Sequence, residues 1–372
     1  MKKILFIITH LELGGAQRQL FHLIEGLDKD RYSVYVCCGS FGYLKAKLLE
    51  VSDVKVEFIS SLRRQINLFY DLIAFFKIFL FIRKHKFDIV HTHSPKASIL
   101  GRWAAFLAGV KNIVYTVHGW PFHGFMNYFS FHLFLLLERI TAKITKKIIL
   151  VSGADLQVGL DKKIAGPGKF FLVHCGIEID KFDQIFKKRT QGSIDGKVII
   201  TVSSLKPQKG LNYFLRMAEY ILGKGRSLKF LIAGDGPYRE EVSRQIQASG
   251  LKKNVILEGW VDDVLPLFSK ASVFVLSSLW EGLPLSVIEA AISGIPLVVT
   301  DTQGIRDIID DNKNGIIVKP GDWQGLSKGV SSILDNYSDW QVKIRAYRER
   351  LDIEYWSKER MIKQIDTIYR QL

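Results

Sequence analysis

Two glutamates eight residues apart flank a predicted helix start in the second half of the chain. Glu281 precedes Gly282-Leu283-Pro284, and Glu289 lies in the apolar helix that follows. Because proline is favoured at the first helical position, we place Pro284 there and Glu281 in the loop before it. Free N–H groups at such a helix start bind anions. Here they would come from Gly282, Leu283, Leu285 and Ser286.

Either glutamate alone would be interpreted as a solvated surface charge. Two carboxylates beside a seat for a diphosphate could instead each hold a pair of sugar hydroxyls. The segment therefore indicates a site for a ligand that combines a diphosphate with a sugar.

Other residues with useful chemistry also follow short apolar runs. They are Gly14-Gly15, His93-Ser94-Pro95, His118-Gly119, Ser203-Ser204, Lys209-Gly210, Gly234-Asp235-Gly236 and Gly259-Trp260-Val261. The Gly14-Gly15 pair could let backbone amides approach an anion at a helix start, or could simply form a tight turn. Open α/β sheets bind ligands at the carboxyl ends of their strands, so we expect these loops to line one cleft between two domains.

The apolar runs alternate with helical stretches almost throughout the chain. They predict strands at 3–9, 33–38, 54–59, 89–91, 113–117, 148–151 and 171–173, and at 198–202, 228–233, 255–257, 273–276, 296–300 and 315–318. Nearly continuous apolar strands separated by helices are typical of parallel sheets covered on both faces. The fold class is therefore α/β, with two doubly wound, Rossmann-like domains.

A polar stretch divides the two series of strands. Residues 178–196 lack periodicity and contain Gln-Gly-Ser and Asp-Gly, which favours a linker between domains at 1–177 and 197–350. The charged, amphipathic residues 351–372 predict a closing helix that packs back on the first domain.

Composition and charge exclude several classes of protein. The 372 residues include only three cysteines and no C-x-x-C pair, so we expect neither a disulfide framework nor a zinc or redox site, and a reducing cytoplasm as the setting. The net charge is +15, and residues 1–180 hold 24 Lys and Arg against 14 Asp and Glu. Such a balance favours a phosphate-bearing substrate or an anionic membrane surface. We rank nucleic acid lowest, because no nucleic-acid-binding signature is present.

Several motifs point to no function. Neither G-x-G-x-x-G nor the P-loop pattern occurs, which argues against a dinucleotide oxidoreductase or an NTPase. We interpret Asp28-Lys29-Asp30 as a turn at the wrong end of the sheet rather than a metal motif. His91 and His93 lack a third ligand, so we expect at most one of them to line the cleft and no metal to bind. His10 and His22 are interpreted as structural.

Two apolar segments could be mistaken for membrane segments. The run at 4–8 is too short for a signal peptide and is interpreted as a buried first strand. The run at 66–82 contains Asp71 and Lys77 and is at the lower limit for a span, so we reject a transmembrane helix. We favour a core helix there over a helix whose surplus Phe residues touch lipid.

The motifs together resemble those of retaining GT-B glycosyltransferases of family 4, in the order in which that family has them. They are Gly14-Gly15-Ala16-Gln17, Tyr115-Thr116-Val117-His118-Gly119, His174-Cys175-Gly176-Ile177-Glu178, Lys209-Gly210, Gly234-Asp235-Gly236-Pro237 and the segment from Glu281 to Ala290. The stretch from His91 to Ala97, with 116–123, is most similar to members that build bacterial surface polysaccharides.

The resemblance implies roles for individual residues in the donor site. Glu281 would contact the sugar, with backbone groups of Gly282 and Leu283, and Glu289 would hold the ribose. Lys209 would neutralise the leaving diphosphate. Further donor contacts would come from Gly14, Gly15, Gly234, the Val261 backbone, Leu285 and Ser286. His118 would support the charge that develops on the transferred sugar.

The resemblance also implies a reaction and its substrates. A hexosyl or N-acetylhexosaminyl group would pass from a nucleotide diphosphate sugar, most simply a UDP-sugar, to a glycan or polyprenol-linked acceptor with retention of configuration and without a metal. We place the acceptor on the basic, aromatic first domain, beside His93, Trp120 and His123. Basic groups there favour peripheral attachment to the inner face of the membrane, with solvated basic faces as the alternative.

One motif departs from the family pattern. Members usually have Gly-Arg five residues before the phosphate lysine, and this chain has Ser203 and Ser204. This difference motivates the alternative of a non-catalytic nucleotide-sugar-binding protein. An epimerase or phosphorylase of the same fold is a second alternative, for which no acid/base cluster or pyridoxal-phosphate lysine is visible.

Overall fold

A computed structural model describes residues 1–191 and 197–372. The chain divides into two compact units. Unit 1 comprises Met1–Gly176 with Glu359–Leu372, and unit 2 comprises Ile177–Lys358.

Unit 1 contains a parallel sheet of seven strands in the order β3-β2-β1-β4-β5-β6-β7. Its strands are β1 Lys2–Ile8, β2 Tyr32–Cys38, β3 Val54–Phe58, β4 Ile89–His93, β5 Asn112–Val117, β6 Lys147–Leu150 and β7 Phe170–Leu172. In the register of the central strand, Ile4 lies opposite Val34 on one side and Ile89 on the other. Helices cover both faces, so residues of either parity along β1 are fully buried, as the continuous apolar run predicts.

The helices of the first 176 residues connect these strands. They are α1 Gly15–Gly26, α2 Lys45–Glu50, α3 Leu68–His85, α4 Pro95–Leu107, α5 Tyr128–Lys143 and α6 Gly153–Asp161. The chain reverses its direction across the sheet between β1 and β4, where two neighbouring strands are followed by connections that leave in opposite directions.

Unit 2 contains a second parallel sheet, of six strands in the order β10-β9-β8-β11-β12-β13. Its strands are β8 Val198–Val202, β9 Lys229–Ala233, β10 Val255–Gly259, β11 Val273–Leu276, β12 Leu297–Thr300 and β13 Gly315–Val318. Its helices are α7 Ile179–Gln191, α8 Leu211–Gly223, α9 Arg239–Ala248, α10 Leu265–Lys270, α11 Leu285–Ile292, α12 Trp323–Asp335 and α13 Tyr337–Arg350. The corresponding reversal of direction lies between β8 and β11. The predicted fold class is confirmed.

The segment predicted as a linker contains a packed helix. In α7, Ile179, Phe182 and Ile185 are buried at helical spacing, and Arg348 on α13 donates a hydrogen bond to Asp183 at 2.6 Å. Most of the charged residues of α7 are exposed, and they conceal this narrow apolar stripe in the sequence. Of the predicted linker, residues 192–196 lie outside the described residues.

The last helix, α14 Lys358–Arg370, belongs almost entirely to unit 1. Its residues Met361, Ile365, Ile368 and Tyr369 join the cluster around β1 and β2. The predicted closing helix is therefore present, but residues 351–358, which we assigned to it, cluster with unit 2. They include a short 3-10 helix at Ile353–Trp356.

The interpretation of 66–82 as a core helix is wrong for half of its surface. In α3, Ala74, Ile78 and Ile82 are buried against the sheet, whereas Phe69, Leu72, Phe76 and Leu80 are exposed. The sequence favours burial because nearly every residue of the helix is apolar, but the sheet covers only one side of it. Within the described residues, no helix is long and apolar enough to cross a membrane.

Candidate functional site

The predicted donor residues of unit 2 lie where its sheet changes direction. The loops after β8 and β11 meet at the carboxyl ends of these adjacent strands, which is the usual ligand position in an open α/β sheet. Gln208 connects the two loops through two hydrogen bonds of 2.8 Å. Its side-chain Nε2 donates to Trp280 O, and its backbone carbonyl accepts from Leu279 N.

Lys209 and Glu281 form an ion pair at this point. Lys209 Nζ lies 2.5 Å from Glu281 Oε1, and Ser278 Oγ donates to the same oxygen at 2.6 Å. Both residues belong to the predicted site, and Glu281 lies in the predicted loop before the helix. An exposed position would be expected of a charged loop residue, but the Glu281 side chain is only 8% exposed. A carboxylate held at Oε1 by two donors is fixed in orientation and can present its other oxygen to a sugar hydroxyl.

The backbone around Lys209 requires a glycine. Gly210 has φ +58°, and a Cβ there would lie 2.2 Å from Ser277 O. Ser277 Oγ in turn donates to Lys209 O at 2.9 Å. The Lys-Gly pair therefore lets the short 3-10 turn Pro207–Lys209 lie directly against the end of β11.

The helix start next to Glu281 is close to the predicted one. Pro284 is the N-cap residue of α11 rather than its first helical residue, and no side chain caps the helix. Leu283 and Leu285 are buried, while Ser286 is half-buried. Glu289 lies in the second turn of α11 and is completely buried.

Three other predicted donor positions lie in loops at the same edge of the sheet. Gly234 follows β9 with φ +142°, and a Cβ there would lie 2.0 Å from Ser203 O. Its N–H donates to Gly259 O at 2.7 Å. Ser204, after β8, and Val261, after β10, are both half-buried.

In unit 1, the change of direction brings the end of β1 against the end of β4. Ser94 Oγ accepts from Thr9 N at 3.1 Å and bonds Thr9 Oγ1 at 2.7 Å. Ser94 has φ +62° and ψ 144°, an unfavourable conformation for a residue with a side chain. Such backbone persists where its surroundings fix it, and it is concentrated at functional sites.

Two predicted site histidines contact each other at this edge. His93 Nδ1 lies 3.0 Å from His118 Nε2, and the two rings are stacked. His93 is fully buried and His118 is half-buried. Burial lowers the pKa of His118 to about 4 and the pKa of His93 well below its usual value. His118 therefore presents a neutral imidazole at neutral pH, which can form hydrogen bonds but adds no charge.

The neighbouring His91 is held by a residue that sequence reasoning missed. Its Nδ1 lies 2.5 Å from Tyr369 Oη on α14, and its Nε2 lies 2.7 Å from Thr116 Oγ1. Burial lowers the pKa of His91 to about 3, and its ring centroid is 4.3 Å from that of His93. Of the two alternate histidines, His93 is the one whose ring nitrogen lies against His118.

The Gly14-Gly15 pair opens α1 at the same edge of the sheet. Gly14 is the N-cap residue without a side-chain cap, and Gly15 is exposed. A Cβ on Gly14 would lie 2.7 Å from Gln17 Oε1, while Gln17 Nε2 donates to His10 O at 3.0 Å. Because Gly15 is exposed and no side chain caps the helix, this helix start is open to solvent, which suits an anion seat.

The acceptor surface predicted beside His93, Trp120 and His123 is partly wrong. Trp120 is buried, its Nε1 donates to Asp155 O at 2.8 Å, and its ring stacks on Phe122. Trp120 therefore belongs to the core under α5 and cannot contact an acceptor. His123 is half-buried and Phe125 is exposed, so the aromatic surface starts further along this loop.

Two false leads also have structural positions. Asp28 and Asp30 lie in the turn between α1 and β2, where Asp30 N donates to Asp28 Oδ1 at 3.0 Å. His22 Nδ1 lies 3.2 Å from Gly176 O. This contact connects α1 to Gly176, where the stretch Met1–Gly176 of unit 1 ends. Within residues 1–191 and 197–372, no three His, Cys, Asp or Glu side chains converge as a metal site would need.

Comparison with known families accounts for nearly the whole chain. A family model described as Glycosyltransferase Family 4 matches residues 13–181, and one described as Glycosyl transferases group 1 matches residues 183–350. With two doubly wound parallel sheets, these matches define a glycosyltransferase of GT-B architecture. The chain belongs to glycosyltransferase family 4, as its motifs predict.

Individual relatives agree with this assignment. The chain is 30% identical to an Escherichia coli UDP-Gal:α-D-GlcNAc-diphosphoundecaprenol α-1,3-galactosyltransferase, with 88% of each chain covered. It is 24% identical to the capsular polysaccharide biosynthesis glycosyltransferase CapM of Staphylococcus aureus, covering 93% of this chain and 92% of the relative.

Solved structures show the same fold. The Anabaena protein HepE in complex with UDP and glucose matches with a TM-score of 0.80 and 20% identity, over 100% of both chains. Sucrose-phosphate synthase from Thermosynechococcus elongatus matches with a TM-score of 0.83 and 19% identity, over 100% of this chain and 99% of that one.

Proposed function

We propose that this glycosyltransferase moves a hexosyl or N-acetylhexosaminyl group from a UDP-sugar to a glycan or polyprenol-linked acceptor, in bacterial surface polysaccharide biosynthesis. The observation that carries the proposal is the Lys209–Glu281 pair beside the α11 helix start, at the ligand-binding edge of unit 2. The names of the E. coli and S. aureus relatives support the lipid-linked acceptor and the polysaccharide product.

The site supplies positioning and electrostatic stabilisation rather than a nucleophile. Lys209 and the amides of the α11 start would bind the diphosphate as it gains charge on leaving. Glu281 would hold the sugar through its hydroxyls and hold Lys209 in place. Because Glu281 is anchored by Lys209 and Ser278, we assign it no covalent role.

We propose retention of configuration on the basis of the same arrangement. The leaving phosphate would stay on the face of the sugar from which it departs and would accept the proton of the acceptor hydroxyl. The new bond then forms on the face where the old one breaks, without an enzyme-bound intermediate. Lys209 and the helix amides supply the positive charge, so we propose that the reaction needs no resident metal.

A thermal-shift panel of nucleotides and nucleotide sugars tests the donor class. We expect UDP and UDP-sugars to raise Tm more than GDP-, ADP- or CMP-sugars do. A ligand at one hundred times its Kd stabilises the folded state by about 2.7 kcal/mol, which is readily measured. A panel in which no nucleotide shifts Tm, or in which UDP-sugars do not lead, would contradict the proposed donor.

The alternative of a non-catalytic binding protein is favoured by Ser204, which stands where family members have a second cation for the diphosphate. Calorimetric binding of a UDP-sugar without hydrolysis or transfer to any acceptor would support it.

Restoring that cation gives a specific prediction. The variant Ser204→Arg is expected to tighten binding of UDP more than binding of UMP, because the added guanidinium would contact the second phosphate. A charge-assisted hydrogen bond contributes about 1.5–3 kcal/mol, so the gain for UDP should be roughly ten- to a hundredfold. Titration calorimetry with both nucleotides measures this difference.

Ser269→Arg is the matched control, because it adds the same charge at an exposed position of α10. Equal effects of Ser204→Arg on UDP and UMP, or no effect on either, would show that position 204 does not face the phosphates.

We also propose that the protein is cytoplasmic and lies at the inner face of the cell membrane, where a polyprenol-linked acceptor is presented. The support is the basic first half of the chain. Each basic residue near an anionic surface contributes about 1 kcal/mol, and salt screens this attraction.

A further inference from the structure

Two helices of unit 1 expose apolar stripes. On α3 the outward side chains are Phe69, Leu72, Phe76 and Leu80, which are 52–69% exposed. On α5 they are Phe129, Leu133, Leu136 and Ile140, which are 39–77% exposed. Their three- and four-residue spacing places each set on one side of its helix. Large apolar patches on a surface mark sites of interaction.

Both stripes lie on the same side of the sheet. The inner residues of α3 and α4 pack on a cluster that includes Ile113 of β5. The inner residues of α5 pack on Tyr115 and Val117 of the same strand. Alternate residues of a strand point to one face, so α3, α4 and α5 form a single layer. In that layer α4 contacts both neighbours.

This layer reaches the edge that carries the candidate site. Each of the three helices returns the chain to the start of another parallel strand, so α3 and α5 begin near the carboxyl ends of the strands. His93 and His118 lie at this edge. Residues at and just before the two helix starts extend the apolar surface toward it. They are Ile66, Leu68, Phe125 and Tyr128, all of which are exposed.

The positive charge of the first half is concentrated in the segment that contains this layer. Residues 60–147 contain 13 Lys and Arg against three Asp and Glu, whereas the rest of residues 1–180 contains 11 of each. All three acidic residues are engaged, Asp71 with Lys96, Glu138 with Arg102, and Asp88 with the backbone of Lys3. The basic residues on the surface of this segment are Arg63, Arg64, Lys77, Arg83, Lys84, Lys86, Lys111, Arg139, Lys143 and Lys146.

We infer that the outward face of α3 and α5 docks on a bilayer that contains anionic lipid. The apolar stripes would enter the interface, and the basic residues around them would contact lipid headgroups. A second copy of this chain is a poorer occupant of this face, because residues 60–147 carry a net charge of +10 and two copies of that segment would repel each other. The inference rests on the proposed function for its purpose, which is to bring the site edge of unit 1 to a lipid-linked acceptor.

Vesicle sedimentation of the full chain tests the inference. The vesicles are phosphatidylcholine alone, or equal parts of phosphatidylcholine and phosphatidylglycerol, at low and high salt. Wild type should bind the mixed vesicles at low salt. The double variant Phe69→Ser/Phe129→Ser should lower the partition coefficient about tenfold or more, because two large apolar side chains are lost from the interface. The triple variant Arg83→Gln/Lys84→Gln/Lys143→Gln should lower it about a hundredfold at low salt.

Matched controls lie on unit 2. Tyr220→Ser/Val342→Ser removes two exposed apolar side chains, and Lys252→Gln/Lys253→Gln/Lys270→Gln removes three exposed charges. Both controls should bind the mixed vesicles as wild type does. All variants should retain the same thermal shift with UDP, because none of the changes touches the donor residues.

Three results would overturn the inference. They are failure of wild type to bind the mixed vesicles, equal losses in the unit 1 variants and their controls, and a wild-type dimer that the Phe69→Ser/Phe129→Ser variant converts to a monomer. The sedimentation readout does not depend on turnover. Vesicle binding without sugar transfer would therefore contradict the proposed function alone, and transfer without vesicle binding would contradict this inference alone.

Discussion

Glu281→Gln is expected to lower kcat about ten- to a hundredfold. The change removes the negative charge that holds Lys209, and it weakens the grip on the sugar hydroxyls. A hydrogen bond to a charged group contributes about 1.5–3 kcal/mol, which corresponds to this loss in rate. Because Glu281 is buried rather than exposed, we also expect Tm to fall, which a surface glutamate would not cause.

Steady-state kinetics of UDP-sugar turnover, with Tm measured in parallel, checks this prediction. Glu258→Gln is the matched control, because Glu258 is exposed on β10 of the same unit. A double-mutant cycle with Lys209→Met separates the contribution of the pair from that of each residue. Unchanged turnover in Glu281→Gln would remove Glu281 from the active site.

Arg102→Met is expected to destabilise unit 1 by about 3–5 kcal/mol, because it leaves a buried carboxylate without its partner. Arg102 and Glu138 are both fully buried and are joined by a 2.7 Å hydrogen bond. The guanidinium also donates to Ser98 O at 3.2 Å and to Thr145 Oγ1 at 3.3 Å, and it stacks over the Tyr115 ring. The pair therefore connects α4 to α5 in the layer below the apolar face.

Hydrogen exchange of the β5 and α5 peptides in increasing urea measures the local loss of stability. The double variant Arg102→Met/Glu138→Leu should recover most of it, because replacing both charges removes the unpaired carboxylate. Arg31→Met breaks only the exposed pair with Asp28 and should cost less than about 1 kcal/mol. A loss in Arg102→Met no larger than in Arg31→Met would show that the buried pair does not stabilise this layer.

The local sequence predicts most of the fold because the strands are short apolar runs separated by amphipathic helices. The predicted bounds of β8, β11 and β13 agree with the structure to the residue. The polar stretch contains the helix α7 instead of a linker, and among its described side chains only Ile179, Phe182 and Ile185 are buried. A narrow apolar stripe in a charged segment is easily interpreted as a linker.

The sequence predicts which residues belong to the candidate site better than it predicts their partners. Loops at strand ends identify Lys209 and Glu281, but their ion pair joins positions 72 residues apart. The contact of His91 with Tyr369 spans 278 residues. Such contacts depend on the order of strands in the sheet and on where α14 docks, and local patterns encode neither.

Burial is the property that the sequence predicts least well here. Trp120 is buried and Phe125 is exposed, although both lie in one aromatic segment. The helix α3 is apolar on all sides, yet only the side facing the sheet is covered. Hydrophobicity shows which residues would gain from burial, whereas the arrangement of layers decides which of them achieve it.

Transfer to a lipid-linked acceptor tests the central claim most directly. The UDP-sugar that gives the largest thermal shift is incubated with a panel of polyprenol-diphosphate-linked mono- and disaccharides, and released UDP and product are quantified. The anomeric configuration of the product is determined by NMR. The account predicts one UDP released for each sugar transferred, with the anomeric configuration of the donor kept in the product. A donor that binds but is not transferred to any acceptor of the panel, or a product with inverted configuration, would contradict it.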